Sequence, residues 1–229
     1  MANGEEISAK YHIVMFYFEV LWENVILIGC LGFSNSFRVE ASGLSGEIWL
    51  LWNDAIDVDI LKVSNQFVHG RACFFGSSRW VFFTAVYASP NVTIRKEVWN
   101  QLSNLNSGND LAWLLGGDFN FILRSKEREG GPILGSDISH LFQDFIFDNG
   151  LLEAEFRGNE FTWKRGLTRK RLDHCLFNKS WANLFPNSLV THLDRVGFDH
   201  CPLLLSYPRQ DGDRESRPFR FLTAWHDHP

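Results

Sequence analysis

The chain has 229 residues, 45% of them apolar and 21% charged, and carries 21 Phe and 9 Trp, which excludes a disordered segment and suffices for one sizeable core. Its formal net charge of −5 excludes a uniformly basic surface, so any contact to phosphate has to come from local clusters of Lys and Arg. Four cysteines, at 30, 73, 175 and 201, show neither metal-ligand pairing nor the density of a disulfide scaffold, and a reducing compartment is expected.

The stretch from His12 to Phe33 is apolar enough to raise a membrane span, but Glu19, Glu23 and Asn24 interrupt it. Each central carboxylate costs about 2.5–3.5 kcal/mol on an insertion scale, so no span is expected. No signal-peptide pattern opens the chain either. A strand from Tyr11 to Phe18 is expected instead, which leaves Glu19 as a carboxylate at its end. Further strands are predicted over Glu47 to Trp52, Asp57 to Val63, Phe67 to Phe75 and Arg79 to Tyr87, all rich in aromatic and β-branched residues.

A helix is predicted from Ile94 to Leu105, with Ile94, Val98, Leu102 and Leu105 on its apolar face. The run Leu111 to Leu115 reads as a buried strand, after which Gly116 and Gly117 are expected to turn the chain so that Asp118 and Asn120 project from the strand end. Arg124 to Gly135 reads as a charged, flexible loop, in its plain reading a connector. A second helix is predicted over His140 to Asn149, with Leu141, Phe142, Phe145 and Ile146 inward and Gly150 as its stop. Asp199 and His200 then precede an apolar strand, Cys201 to Leu205. Cys175 and Cys201, in apolar runs, are expected as small buried hydrophobes. The glycosylation-type triplets at Asn91 and Asn178 are expected to be chance matches.

Between Lys164 and Arg171 lie five basic residues, Lys164, Arg165, Arg169, Lys170 and Arg171, directly before Leu172-Asp173. They read either as a solvated hairpin or as a DNA-backbone contact. Trp163 beside them either packs in the core or faces a base.

Four blocks occur in a telling order: Val86-Tyr87-Ala88-Ser89-Pro90, then Gly117-Asp118-Phe119-Asn120, then Arg171-Leu172-Asp173, then Asp199-His200. The set resembles the endonuclease/exonuclease/phosphatase superfamily. Leu31-Gly32-Phe33-Ser34, Ile48 to Trp52, Phe161-Thr162-Trp163 and Leu184-Phe185-Pro186 narrow the resemblance to the endonuclease domain of plant LINE-type (non-LTR) retrotransposons, truncated at the N-terminus.

That resemblance implies an α/β fold, a four-layer αββα sandwich of two packed mixed sheets, deoxyribonuclease I-like and lacking the family's first strand. It implies a domain over residues 11–207 and a connector over 208–229 that in relatives leads to a reverse transcriptase, which is not expected within this chain. It also implies a metal-dependent phosphodiester hydrolase that nicks DNA with Mg²⁺, or Mn²⁺, as an intracellular monomer in nucleus or cytoplasm. In the implied site Glu19 and Asp199 hold or support the metal. Asp118 orients or deprotonates the attacking water, and Asn120 donates to phosphate or positions that base. Tyr87 bonds the phosphate, while His200 stabilises charge on it with Asp173 behind the ring. An inactive remnant that binds nucleic acid through the basic segment, and a phosphatase of the same superfamily, are the alternatives. Phe198 stands where the superfamily has a small Ser, which is expected to crowd the site. The Arg124 to Gly135 loop is either a plain connector or, on the resemblance, a border of the DNA cleft that shapes target choice.

Overall fold

The computed structural model describes residues 16–18, 33–40, 47–74, 77–105, 111–131, 140–195 and 199–207. Alternating aromatic and β-branched sequence gives the long antiparallel meander β4 (Ile56–Ser64), β5 (Phe67–Phe74) and β6 (Trp80–Tyr87). The chain crosses over through α1 (Val92–Ser103), so β7 (Trp113–Asp118) runs parallel to β6. Then β13 (Asp173–Asn178) and β9 (Leu151–Glu153) complete a six-stranded mixed sheet in the order β4-β5-β6-β7-β13-β9.

Two smaller sheets face it. One joins β1 (Phe16–Phe18), β3 (Ile48–Trp52) and β2 (Asn35–Val39); the other joins β10 (Phe156–Gly158), β14 (Leu189–His192) and β15 (Leu203–Ser206). Ile48 and Leu50 of β3, with Val190 and Leu205, pack against Val68, Phe83, Ala85 and Leu114 of the large sheet. The opposite face of that sheet lies under α1 and α2 (His140–Asp148), where Trp99 stacks on Phe142 with centroids 4.9 Å apart and Phe119 stacks on Phe142 at 5.0 Å. Such aromatic pairs contribute about 0.5–1.5 kcal/mol each beyond their burial. The chain is therefore the expected α/β sandwich of packed mixed sheets. The expectations for Tyr11 to Met15, Glu19, the missing first strand, Phe198 and the connector fall outside the described residues.

Several local expectations are corrected. Gly116 and Gly117 do not turn the chain; they continue β7, paired with Cys175 and His174 on one side and with Ala85 and Val86 on the other. Gly117 has φ +136, which glycine alone adopts without strain, so the pair shapes the strand rather than ending it. The turn comes later, at Asn120, with φ +52. The inward face of α1 is Arg95, Val98, Trp99 and Leu102, while Ile94 is 45% exposed. On α2, Phe142 and Phe145 are buried and Leu141 faces outward; Gly150, with φ +59, stops the helix as expected.

The stretch from Arg124 is not simply a connector. Ser125–Glu127 forms a 3-10 turn and Arg128–Glu129 a short strand, β8, which pairs with β12 (Thr168–Lys170) of a hairpin whose other arm is β11 (Trp163–Arg165). Glu127 is buried and ion-paired to Arg171, 2.6 Å away, which anchors the segment. Asn91 and Asn178 have structural work: Asn91 caps α1, and the buried Asn178 caps α3 (Lys179–Leu184). Cys175 and Cys201 are buried free thiols, as expected.

Candidate active site

Three neighbouring strands place three of the expected residues in one row. Tyr87, the last residue of β6, is in register with Asp118, the last of β7, and Asp118 is in register with Asp173, the first of β13. Successive strand residues alternate faces, so these three share the face that meets the second set of strands. His200 joins them from the segment before β15, held by a bridge to Trp163. Tyr87 and His200 are half-buried; Asp118 and Asp173 are buried.

His200 and Asp173 form a hydrogen-bonded pair, Nδ1 to Oδ2 at 2.8 Å. The other ring nitrogen, Nε2, faces Asp118 Oδ2 across 3.9 Å. Asp173 is fixed from behind by Thr162, fully buried, whose hydroxyl oxygen accepts from the Leu172 and Asp173 backbone N–H groups at 3.1 Å each. Asn120 holds Asp118 by both carboxylate oxygens: its backbone N–H donates to Oδ1 at 2.7 Å and its side-chain amide to Oδ2 at 2.8 Å. The remaining amide hydrogen of Asn120 donates to the Ala88 carbonyl at 2.7 Å. Both acceptors fix the orientation of that amide, so Asn120 positions the carboxylate and has no hydrogen left to give a phosphate.

The electrostatics follow from burial and neighbours. Burial raises Asp118 to about 7, against the opposing charge of His200. Burial works to lower the His200 imidazole, but the charge and hydrogen bond of Asp173, with Asp118 and Asp199, raise it to about 10. Asp173 is also desolvated, yet the His200 charge and hydrogen bonds hold it below the ordinary carboxylate range. At neutral pH the arrangement thus has a cationic ring next to a carboxyl poised to gain or lose a proton.

The other expected residues divide. Asp199 is exposed; its Oδ2 accepts from the Trp163 indole N–H at 2.9 Å, so Trp163 tethers this carboxylate rather than simply filling the core. Glu19 lies outside the described residues. Among the described residues no group of three or more His, Cys, Asp or Glu side chains is assembled around a metal position. Lys164 and Arg165 are exposed on the hairpin, and Lys170 is half-buried. Arg169 pairs with Glu129 at 2.6 Å. Arg171 is no surface contact: it is 3% exposed and paired with both Glu127 and Glu153 at 2.6 Å. Two buried residues behind these strand ends were missed in sequence: Thr162, which accepts from the Leu172 and Asp173 amides, and Arg95, whose guanidinium donates to the Ser89 and Asn120 carbonyls. The first has no signal beyond its place in Phe161-Thr162-Trp163; the second stands at helical spacing with Val98, Trp99 and Leu102.

The packed sheets, with a hydrogen-bonded carboxylate and imidazole where strands end, make an α/β sandwich whose candidate site is suited to proton transfer. The chain belongs to the Endonuclease/Exonuclease/phosphatase family, whose model matches residues 18–200. Among solved structures it is similar to the endonuclease domain of TRAS1, a telomere-specific non-LTR retrotransposon, with TM-score 0.58 and 14% identity over 77% of this chain and 81% of that one. It is similar also to the 3′ phosphatase NExo from Neisseria bound to a product DNA hairpin, with TM-score 0.55 and 15% identity over 80% and 82% of the two chains. The human Nocturnin catalytic domain gives TM-score 0.54 and 15% identity over 84% and 79%. No curated protein matches the chain in sequence. No helix among the described residues is long and apolar enough to cross a membrane.

Proposed function

We propose that the chain is a phosphodiester hydrolase that nicks DNA, derived from a LINE-type retrotransposon endonuclease. The observation that carries this reading is the 3.9 Å gap between His200 Nε2 and Asp118 Oδ2, with each side oriented by its own partner, Asp173 and Asn120. Asp118, its carboxyl raised towards neutrality, accepts the proton of the attacking water. The His200 imidazolium, oriented by Asp173, stabilises negative charge on the phosphate. Asn120 keeps Asp118 aimed, and Tyr87, in register beside it, is the proposed phosphate donor.

A hard divalent cation, Mg²⁺ or Mn²⁺, suits the oxygen donors available and needs few of them. Asp199, exposed next to His200, and Glu19 are the residues that would hold it. When bound it supplies charge neutralisation at the phosphate and the leaving oxygen. Lys164, Arg165, Arg169 and Lys170 on the β11–β12 hairpin and its neighbourhood are the proposed backbone contacts to DNA. The hydrolase unit is residues 11–207, with 208–229 as a connector, working as a monomer inside the cell.

The test is nicking of supercoiled plasmid with Mg²⁺, against EDTA, Asp118→Asn and His200→Ala. Loss in all three controls supports the reading, and nicking that survives both substitutions overturns the assigned site. Salt-sensitive DNA binding without nicking supports the inactive remnant. Release of phosphate from a terminal phosphate, without nicking, supports a phosphatase.

A further inference from the structure

Arg95 carries a charge on the buried face of α1, where the spacing with Val98, Trp99 and Leu102 calls for an apolar side chain. It is 4% exposed, and its guanidinium lies 3.5 Å from the centroid of the Phe121 ring. One terminal nitrogen donates to two carbonyls, Asn120 at 2.7 Å and Ser89 at 3.1 Å. Its Nε has no hydrogen-bond partner among the described residues. A desolvated guanidinium is costly, so its retention here calls for a gain elsewhere.

That gain lies in the two carbonyls, which belong to the loops that leave the two strands of the site. Ser89 follows Tyr87 at the end of β6, and Asn120 follows Asp118 at the end of β7. Asn120 is the one described non-glycine residue with positive φ, a conformation that needs support from its surroundings. The Asn120 side chain ties the same loops a second time through the Ala88 carbonyl. Arg95 and the Asn120 amide therefore staple the loops from opposite ends of one residue, and the stapled residue is the one that grips both oxygens of Asp118.

We infer that Arg95 is a positioning residue of the site: through the Asn120 and Ser89 carbonyls it holds Asn120 in its left-handed conformation and thereby aims Asp118. The guanidinium touches no reacting atom, being buried behind the loop; its charge also acts on Asp118, and Arg95→Lys retains that charge. The kinetic consequence rests on the hydrolase reading above; the geometric consequence does not.

The test uses Arg95→Met, which keeps length and apolar packing, and Arg95→Lys, which keeps the charge but not the planar fork. In the full chain, Arg95→Met is expected to lower kcat for plasmid nicking on the order of 100-fold with KM nearly unchanged, as misplacement of a reacting group does. Arg95→Lys is expected to fall between it and the wild type. Arg95→Ala is expected to recover rate on addition of guanidinium ion and not of urea, its neutral counterpart. Side-chain amide NMR gives the readout independent of activity: the Asn120 signals should shift in Arg95→Met while those of Asn35 and Asn178 stay in place. If the wild type does not nick, the hydrolase reading fails and the amide signals alone decide. Unmoved Asn120 signals in a folded Arg95→Met protein overturn the inference, as does an unchanged kcat in an active one. Should Arg95→Met fail to fold, Arg95→Lys is judged by the same shift of the Asn120 signals.

Discussion

Strand β13 gives one member to each of two carboxylate–imidazole pairs, Asp173 to one and His174 to the other, on opposite faces of the sheet. On the face towards the second set of strands, Asp173 holds His200 Nδ1 at 2.8 Å and leaves Nε2 looking into a gap of 3.9 Å. On the helix face, Glu153 meets His174 Nδ1 at 2.9 Å, and Nε2 meets the Phe121 carbonyl at 3.1 Å. The second pair is walled in by Phe119 and Phe142 and saturated by Arg171 and Arg124 around Glu153. The two share the same chemistry and differ in whether a nitrogen remains for a substrate. The first leaves one ring nitrogen facing open space, and the second, with both nitrogens engaged, is a structural clamp.

The largest expected effect lies on the open pair. Asp118→Asn and His200→Ala should each lower nicking on the order of 10⁴-fold. His200→Ala should also lower stability, by about 3 kcal/mol in denaturant unfolding, because it leaves the buried Asp173 carboxylate without its charged partner. A comparable loss of activity from His174→Gln with an unchanged melting temperature would break the distinction between the pairs.

The closed cluster should answer in stability. Arg171→Ala removes the closer, buried cation from the buried Glu127 and the half-buried Glu153 and leaves them the exposed Arg124, and should cost about 3 kcal/mol in denaturant unfolding. An effect below 1 kcal/mol would mean that Arg171 is a surface contact after all.

The two clusters should also separate with pH. Burial works to raise the Glu153 carboxyl, but the hydrogen bond and charge of His174, with Arg171, hold it at about 2 against an ordinary 4.5. A depressed carboxylate stabilises the fold fully above its unfolded value, and that contribution, on the order of 3 kcal/mol, fades as pH falls from about 4.5 towards 2. Activity should respond elsewhere. With Asp118 raised to about 7 and required ionised, and His200 raised to about 10 and required protonated, the rate should climb through the first value and decline through the second. Stability and rate profiles that shift together on Glu153→Gln would contradict the separation.

The smallest effects are expected on the hairpin. Lys164→Ala and Arg165→Ala should each reduce the slope of log DNA affinity against log salt by about 1, with the rate of bound plasmid unchanged. Arg169→Ala should do less, because its guanidinium is already shared with Glu129.

Much of this was legible in the chain itself. Aromatic and β-branched runs set β3 to β6, and the position of Gly150 set the end of α2, because strand and helix periodicity and backbone freedom act locally. The order Tyr87, Asp118, Asp173, His200 identified the family, since order and spacing are written in the chain itself. What the chain could not show is which side of an element a residue faces once partners compete for it. Gly116 and Gly117 read as a turn and became the middle of a sheet, because strands on both sides supplied hydrogen bonds. Arg171 belonged by spacing to a basic surface run, yet two glutamates from other elements drew it inside. Arg95 lay in an otherwise apolar face, and the carbonyls of Ser89 and Asn120, brought together by the parallel pairing of β6 and β7, with the Phe121 ring, account for it. Local sequence thus determined the elements and the family, while the burial of charge, which depends on partners distant in the chain, was decided by tertiary structure alone.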